Sequence, residues 1–154
     1  MNKILFLDID GVLINTFPLW KSDELDTDGY SKFNEANVAN LQTFLAEFED
    51  WKIVITSSRR VNKSLVQLEK IFSFRGLGNR IIDKTPDPDG TYLSRALEIS
   101  SYITTKNILQ FIIIDDDKSI LEMDETMLPN IVLTAYRHGF DANCLEMARC
   151  IALR

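Results

Sequence analysis

Cysteine and histidine are scarce in this sequence of 154 residues, which contains only Cys144, Cys150 and His138 of these two types. The cysteines lie six positions apart on one predicted helix, about 9 Å along its axis, which is too far for a disulfide. We therefore expect reduced thiols in a cytoplasmic protein. A zinc site is also disfavoured, because such sites are built from clusters of Cys and His ligands.

Long apolar runs and an excess of basic residues are also absent. No stretch approaches the roughly 18 consecutive apolar residues of a membrane span. The opening Met1-Asn2-Lys3 leads directly into an apolar segment, so no secretory signal is expected. The net charge is −6, with 23 acidic against 17 basic residues. This balance argues against a general nucleic-acid-binding surface, which needs Lys and Arg in excess. The sequence does not indicate an oligomeric state.

The remaining pattern alternates short apolar runs with amphipathic segments. It predicts an α/β fold, a three-layer Rossmann-like parallel sheet with helices on both faces. With 45% apolar residues, the chain is long enough for one core, so we expect a single domain over residues 1–154. Predicted strands cover residues 4–7, 80–83, 111–114 and 131–134, together with a strand that starts at 51 and ends in a hydroxyl cluster at 56. Predicted helices cover 34–49, 63–74, 91–102, part of 119–128, and 141–153.

The end of the first strand carries two aspartates, Asp8 and Asp10, followed by Gly11. Continuous apolar character over residues 4–7 indicates a strand covered on both faces, and open α/β sheets place ligand crevices at the carboxyl ends of such strands. The two side chains would face the same side, and Gly11 lets the backbone leave the strand. One carboxylate could attack phosphorus while the other transfers a proton. Alternatively, both could bind a metal.

Two further strands end in polar clusters. The second ends at Thr56 and Ser57, backed by arginines, and a later one ends at Asp115 and Asp116. Strand ends with Asp-x-Asp, then Thr or Ser, then Asp-Asp, in that order, resemble motifs I, II and IV of the haloacid dehalogenase (HAD) superfamily.

The resemblance implies a basic residue, motif III, between the last two of these strand ends. Arg95 precedes the last of these strands by about one helix and fits best. Lys84 is the competitor, because Lys84-Thr85-Pro86 superficially resembles the Lys-x-x-Pro form of other superfamily members. Arg59 and Arg60 have two open interpretations: they reach the substrate from the loop after Thr56, or they pair with acidic residues of the segment after the first strand, at the surface.

At a finer level, the chain is similar to the small HAD domain of bacterial Swiss Army Knife RNA-repair proteins. The resemblance covers nearly the whole chain. It implies a capless HAD-type fold with a small flap at about residues 12–33, after the first strand, and an open site that admits large substrates. The segments that carry it are Thr56-Ser57-Ser58-Arg59-Arg60, Asp83-Lys84-Thr85-Pro86, Arg95-Ala96-Leu97-Glu98-Ile99, and Val132-Leu133-Thr134 followed by Gly139.

The resemblance also implies roles for individual residues. Clustered carboxylates repel one another, so protons or a divalent cation must offset their charge, and Mg²⁺ prefers oxygen ligands. The implied catalytic pair is the nucleophile Asp8 and the general acid and base Asp10. The implied phosphate-binding residues are Thr56 or Ser57, with Arg95. The implied metal ligands are Asp8, the backbone carbonyl of Asp10, and Asp115 or Asp116.

Together these features predict a magnesium-dependent phosphohydrolase that acts through an aspartyl-phosphate intermediate on a phosphate monoester. The substrate class that the resemblance implies is a phosphorylated RNA or nucleotide end, followed by a small-molecule phosphate. The competing function is a catalytically silent binding or scaffold domain that keeps the fold without turnover.

Overall fold

The computed structural model describes residues 2–90, 92 and 94–154. Within them, five parallel strands form one sheet in the order β3-β2-β1-β4-β5, accompanied by four α-helices. This arrangement confirms the predicted Rossmann-like α/β fold. The strands are β1 (Lys3–Leu7), β2 (Trp51–Ile55), β3 (Ile81–Lys84), β4 (Gln110–Asp115) and β5 (Ile131–Leu133), and the helices are α1 (Glu35–Glu47), α2 (Leu65–Phe74), α3 (Arg95–Lys106) and α4 (Ala142–Ala152).

Both faces of the sheet are covered, because alternate residues of β1 belong to two different apolar cores. Leu5 and Leu7 pack in one core with side chains from α1, α2 and α4. Ile4 and Phe6 pack in the other, with α3 and a short 3₁₀ helix at Lys118–Glu122. This two-sided burial explains why β1 is continuously apolar and does not alternate with polar residues.

The helices begin at side-chain caps that the sequence partly announces. Asn34, the predicted cap of α1, accepts a hydrogen bond from the Asn37 amide, and Asp141 caps α4 in the same way. The predicted helix 91–102 begins at a residue outside the described ones. Helix α3 instead starts after Ser94, whose hydroxyl accepts from the Leu97 amide, and it runs four residues further, to Lys106.

The partly helical stretch predicted within 119–128 is 3₁₀ and not α-helical. Within the described residues it contains only the 3₁₀ helix at Lys118–Glu122 and the first residue of another at Leu128–Asn130. The Asp124 carboxylate accepts hydrogen bonds from both the amide and the hydroxyl of Thr126. Such local bonds compete with helical ones and end the helix.

The segment between the first strand and α1, residues 12–33, is called the flap here. It has no helix or regular strand in the described structure, only an isolated bridge between Leu25 and Ser31 and one between Asp10 and Ile14 at its start. Arg75, at the end of α2, holds its middle through ion pairs of 3.1 Å to Asp26 and 2.7 Å to Asp28.

None of the helices in the described part of the chain is long and apolar enough to cross a membrane.

The central strand β1 lies between β2 and β4. Because the chain builds outward from β1 on one side and then crosses to the other, the order of strands reverses there. Parallel α/β sheets form their ligand crevice at the carboxyl ends of the strands at such a point.

Candidate active site

Three carboxylates meet at the carboxyl edge of the sheet. Asp8 directly follows β1, Asp115 ends the neighbouring β4, and Asp116 comes next. The strands pair in register, Leu7 opposite Ile114, and the Asp8 amide donates to the Ile114 carbonyl at 3.0 Å. One oxygen from each carboxylate lies within 4.8 Å of the others. The sheet register therefore brings together these three predicted residues.

Burial makes this cluster electrostatically costly. Asp8 is 3% exposed and Asp115 fully buried. Burial, together with the nearby Asp115 carboxylate, raises the pKa of Asp8 from 3.8 to about 8. Burial also raises the pKa of Asp116. These side chains would ionise together only with a compensating cation, and three close carboxylates fit a hard divalent ion such as Mg²⁺.

Arg95 supplies part of the compensation. It is the first residue of α3, and one guanidinium nitrogen lies 3.3 Å from Asp8 and 2.9 Å from Asp115. Lys84, the alternative basic residue, makes its contacts elsewhere: its ammonium lies 3.0 Å from the Asp87 carboxylate and 3.1 Å from the Arg60 carbonyl. The structure thus places Arg95 beside Asp8.

The hydroxyl cluster follows β2 at the same edge. Thr56 and Ser57 are fully buried, and the Thr56 amide donates to the Leu7 carbonyl at 3.0 Å, next to Asp8. The Thr56 hydroxyl has no hydrogen-bond partner among the described residues. The Ser57 hydroxyl instead accepts from the Arg59 amide at 3.2 Å. A buried hydroxyl without a protein partner is uncommon in folded proteins and is free to bond to a ligand or a water.

Arg60 has a role that sequence reasoning missed. It is 2% exposed, so it neither reaches out to a substrate nor pairs with acidic residues of the flap. Its guanidinium donates to the carbonyls of Thr56 and Ser57 at 3.1 Å each, to that of Thr85 at 2.8 Å, and to the Glu98 carboxylate at 3.1 Å. Arg60 therefore fixes the loop that carries Thr56. Its place next to another arginine gave no signal of this.

Asp10 lies apart from the three-carboxylate cluster. Its side chain is 39% exposed and forms a two-point ion pair with Arg59, whose Nε and terminal nitrogen lie 2.8 and 2.9 Å from the two carboxylate oxygens. Arg59 also lies 2.8 Å from Asp23 of the flap. Of the two interpretations of Arg59, the structure shows the pairing with a flap acid, and it adds the contact with Asp10.

Gly11 allows the chain to leave β1 as the sequence predicts. Its φ is +76°, a conformation that residues with a side chain rarely adopt. A Cβ atom at this position would overlap the Asp116 side chain. The glycine therefore serves both the turn and the close approach of the acidic cluster.

Comparison with known proteins identifies one family. The sequence model of the family described as the HAD domain in Swiss Army Knife RNA repair proteins matches residues 4–144, a range that contains every site residue described above. No curated protein matches the chain. Among solved structures, the crystal structure of a hypothetical protein from Xanthomonas campestris is 12% identical, with a TM-score of 0.48 over 99% of this chain and 82% of that one. At that TM-score the likeness carries no argument.

Proposed function

Because this chain belongs to the family of HAD domains in Swiss Army Knife RNA repair proteins, we propose that it is a magnesium-dependent phosphohydrolase that forms an aspartyl-phosphate on Asp8. Membership in this family supports a phosphohydrolase-type function. The observation that carries the finer proposal is the convergence of Asp8, Asp115 and Asp116 within 4.8 Å, with Arg95 against two of them.

In the first step an oxygen of the Asp8 carboxylate attacks phosphorus, and the bond to the leaving oxygen breaks. Asp10 gives a proton to that oxygen. Arg95 balances charge on the phosphoryl group, and the unpartnered Thr56 hydroxyl donates a hydrogen bond to one of its oxygens. Positioned donors and charges of this kind account for most of the barrier reduction in phosphoryl transfer.

In the second step water attacks the phosphorus of the Asp8 phosphate. Asp10, now ionised, takes the proton from the water, and the bond to the Asp8 oxygen breaks. Inorganic phosphate leaves, and both aspartates return to their starting states. The same side chain thus acts as acid in one step and as base in the other.

The acidic cluster of Asp8, Asp115 and Asp116 supports a metal site. Oxygens of Asp8 and of Asp115 or Asp116, with the backbone carbonyl of Asp10, are the ligands that we assign to Mg²⁺. When bound, Mg²⁺ supplies positive charge that favours ionised Asp8 and stabilises charge on the transferred phosphoryl group. The raised pKa of Asp8 supports the assignment, because this site favours a proton or a cation at neutral pH.

We propose a phosphorylated RNA or nucleotide end as the substrate, with a small-molecule phosphate monoester as the next candidate. The family's description names RNA repair. Residues 12–33 form a short flap without helices, and the family resemblance implies an open site that admits a large substrate. The net charge of −6 favours recognition of an end over binding along a nucleic-acid backbone.

The test measures release of phosphate from an aryl phosphate and from RNA with a terminal phosphate, with Mg²⁺ or with a chelator. Asp8→Asn should abolish release and keep the fold. Asp50→Asn is the matched control, since Asp50 is an exposed aspartate that pairs with Lys3 at the opposite edge of the sheet. Release that survives chelation or Asp8→Asn contradicts the mechanism. No release from any substrate supports the silent binding domain instead.

A further inference from the structure

The ion pair between Arg59 and Asp10 is the most specific side-chain contact of the site outside the carboxylate cluster. Two guanidinium nitrogens each meet one carboxylate oxygen, at 2.8 and 2.9 Å. This two-point geometry fixes the plane of the carboxylate as well as its distance. In the part of the chain that the structure describes, no other side chain donates a hydrogen bond to these two oxygens.

The same guanidinium also holds the flap. One terminal nitrogen donates to the Asp23 carboxylate at 2.8 Å, and the other donates to the Ser31 hydroxyl at 3.2 Å. The Ser31 hydroxyl in turn donates to Asp23 at 2.8 Å. The guanidinium lies 5.7 Å from the centre of the Tyr30 ring, within reach of a cation–π attraction. Arg59 therefore joins Asp10 to two separate points of the flap.

The backbone that carries Arg59 is held firmly. Its amide donates to the Ser57 hydroxyl, and it lies within the 3₁₀ helix Ser58–Arg60. The next residue, Arg60, is buried and bonded to carbonyls on both sides of the loop and to Glu98. Because the backbone of Arg59 is fixed, the loop after β2 limits where the Arg59 guanidinium and the Asp10 carboxylate bonded to it can lie.

We propose that Arg59 is a positioning residue, which orients the Asp10 carboxylate for proton transfer and, through separate contacts, also holds the flap. Asp10 needs this support because it lies in the loop after β1, beyond the register that fixes Asp8. The two-point contact holds ionised Asp10, the form that acts as base on the water, and one of the two bonds remains when the other oxygen carries the proton for the leaving group. Both proton transfers demand a narrow range of distance and angle. The inference rests on the proposed function, since it assigns Asp10 the proton-transfer role.

Arg75 provides a matched control. It also tethers the flap, through Asp26 and Asp28, and it also lies over the Tyr30 ring, at 5.3 Å. Its described contacts do not include Asp10. Removing Arg75 therefore loosens the flap and leaves the orientation of Asp10 to Arg59.

The experiment compares kcat/KM for an aryl phosphate with a good leaving group and an alkyl phosphate with a poor one. Loss of proton transfer slows the alkyl phosphate most, because its leaving oxygen needs the proton. We expect Arg59→Ala to lower kcat/KM for the alkyl phosphate by about tenfold or more, and that for the aryl phosphate by less than about threefold. Arg59→Lys should lie between Arg59→Ala and the parent, since it keeps the charge and loses the two-point grip.

Three further variants decide the origin of the effect. Asp10→Asn should show the same preference for good leaving groups, and the Arg59→Ala/Asp10→Asn double variant should be no slower than Asp10→Asn alone. Arg75→Ala should change both substrates by the same factor. Thermal melts check folding, and Arg59→Lys provides the test if Arg59→Ala does not fold.

Equal losses with both substrates in the Arg59 variants, or additive losses in the double variant, would overturn the inference while the proposed function stands. A parent protein with no Asp8-dependent phosphatase activity would overturn the proposed function, and the inference with it. A result in which Arg75→Ala matches Arg59→Ala would show that flap mobility, not the orientation of Asp10, causes the effect.

Discussion

The stability of the metal-free protein should fall as the pH rises from 5 to 8. Burial and the neighbouring Asp115 raise the pKa of Asp8 from 3.8 to about 8. The folded protein therefore keeps a proton on Asp8 that the unfolded chain has already released. A group with a raised folded-state pKa contributes stability that is complete below its unfolded pKa and is lost as the pH rises through its folded pKa.

The magnitude follows from linkage. One proton bound only in the folded state changes the free energy of unfolding by about 1.4 kcal/mol per pH unit. Over three units, from pH 5 to pH 8, the upper limit is about 4 kcal/mol, a large part of the stability of a small domain. Burial also raises the pKa of Asp116, so Asp116 contributes to the slope in the same direction, and Asp8→Asn removes only the share of Asp8.

Urea denaturation with a chelator at pH 5, 6, 7 and 8, followed by the change in tryptophan fluorescence as the buried Trp51 becomes exposed, measures the effect. Asp8→Asn should flatten the slope and be more stable than the parent at pH 8. His138→Gln, which replaces the single histidine of the chain, is the matched control variant. Saturating Mg²⁺ should stabilise the parent most at high pH, because ligand binding then no longer competes with a proton.

A free energy of unfolding that stays constant or rises between pH 5 and pH 8 in the metal-free protein would refute this account of Asp8. So would an equal slope in Asp8→Asn, which would assign the titration to another group.

Three other results are expected from the geometry of the site. Thr56→Val should keep or raise the free energy of unfolding measured in urea, because an unpartnered buried hydroxyl costs about 1–3 kcal/mol. It should also lower phosphate release at least about tenfold. A loss of stability with normal phosphate release would contradict the role assigned to Thr56. Asp116→Asn should raise the Mg²⁺ concentration needed for activity and keep or raise the melting temperature of the metal-free protein. Asp115→Asn should lower that melting temperature, because Arg95 loses its charged partner at 2.9 Å. Thermal melts with and without Mg²⁺ separate these outcomes. Gly11→Ala should lower the free energy of unfolding by about 1–2 kcal/mol, because the φ of +76° at this position disfavours a side chain. The overlap of the new methyl group with Asp116 should also weaken Mg²⁺ binding. An unchanged melting temperature would show that the loop adapts to the methyl group.

The carboxylate cluster could be predicted from the sequence because its members are attached to strands. Apolar runs identify β1 and β4, and the carboxyl ends of parallel strands lie at one edge of a sheet. Once Leu7 pairs with Ile114, the residues that follow, Asp8 and Asp115, must be neighbours. The same logic predicted Thr56, which follows the β2 residue Ile55.

The position of Arg95 followed from chain order, but its contacts did not. The apolar periodicity of the sequence did not reveal that Ser94 is the N-cap of the helix before β4. The bond of the Ser94 hydroxyl to the Leu97 amide sets where α3 starts, and hence that its first side chain points at Asp115. Local hydrogen bonds of this kind decide helix ends within a few residues and leave little trace in the apolar pattern.

The roles of Arg59 and Arg60 could not be predicted, because their partners are distant in sequence and lie on loops. Arg59 contacts Asp10 across 49 positions, and Arg60 contacts Glu98 across 38. No strand register or helical period relates these residues. Adjacent arginines in a polar loop are typical of a solvated surface, whereas here one is buried and donates to the carbonyls of Thr56, Ser57 and Thr85.

This contrast accounts for how the site is assembled. Groups on strand ends, such as Asp8 and Asp115, are placed by the backbone hydrogen bonds of the sheet, and Arg95 pairs with both of them. Asp10 lies two residues beyond β1, after the chain has begun its turn at Gly11, so its side chain must be held by another group. The flap, which has no regular structure of its own, is likewise held from the sheet side, by Arg59 and Arg75. One side chain, Arg59, meets both needs, and for that reason we expect the flap and the proton-transfer step to respond together when it is changed.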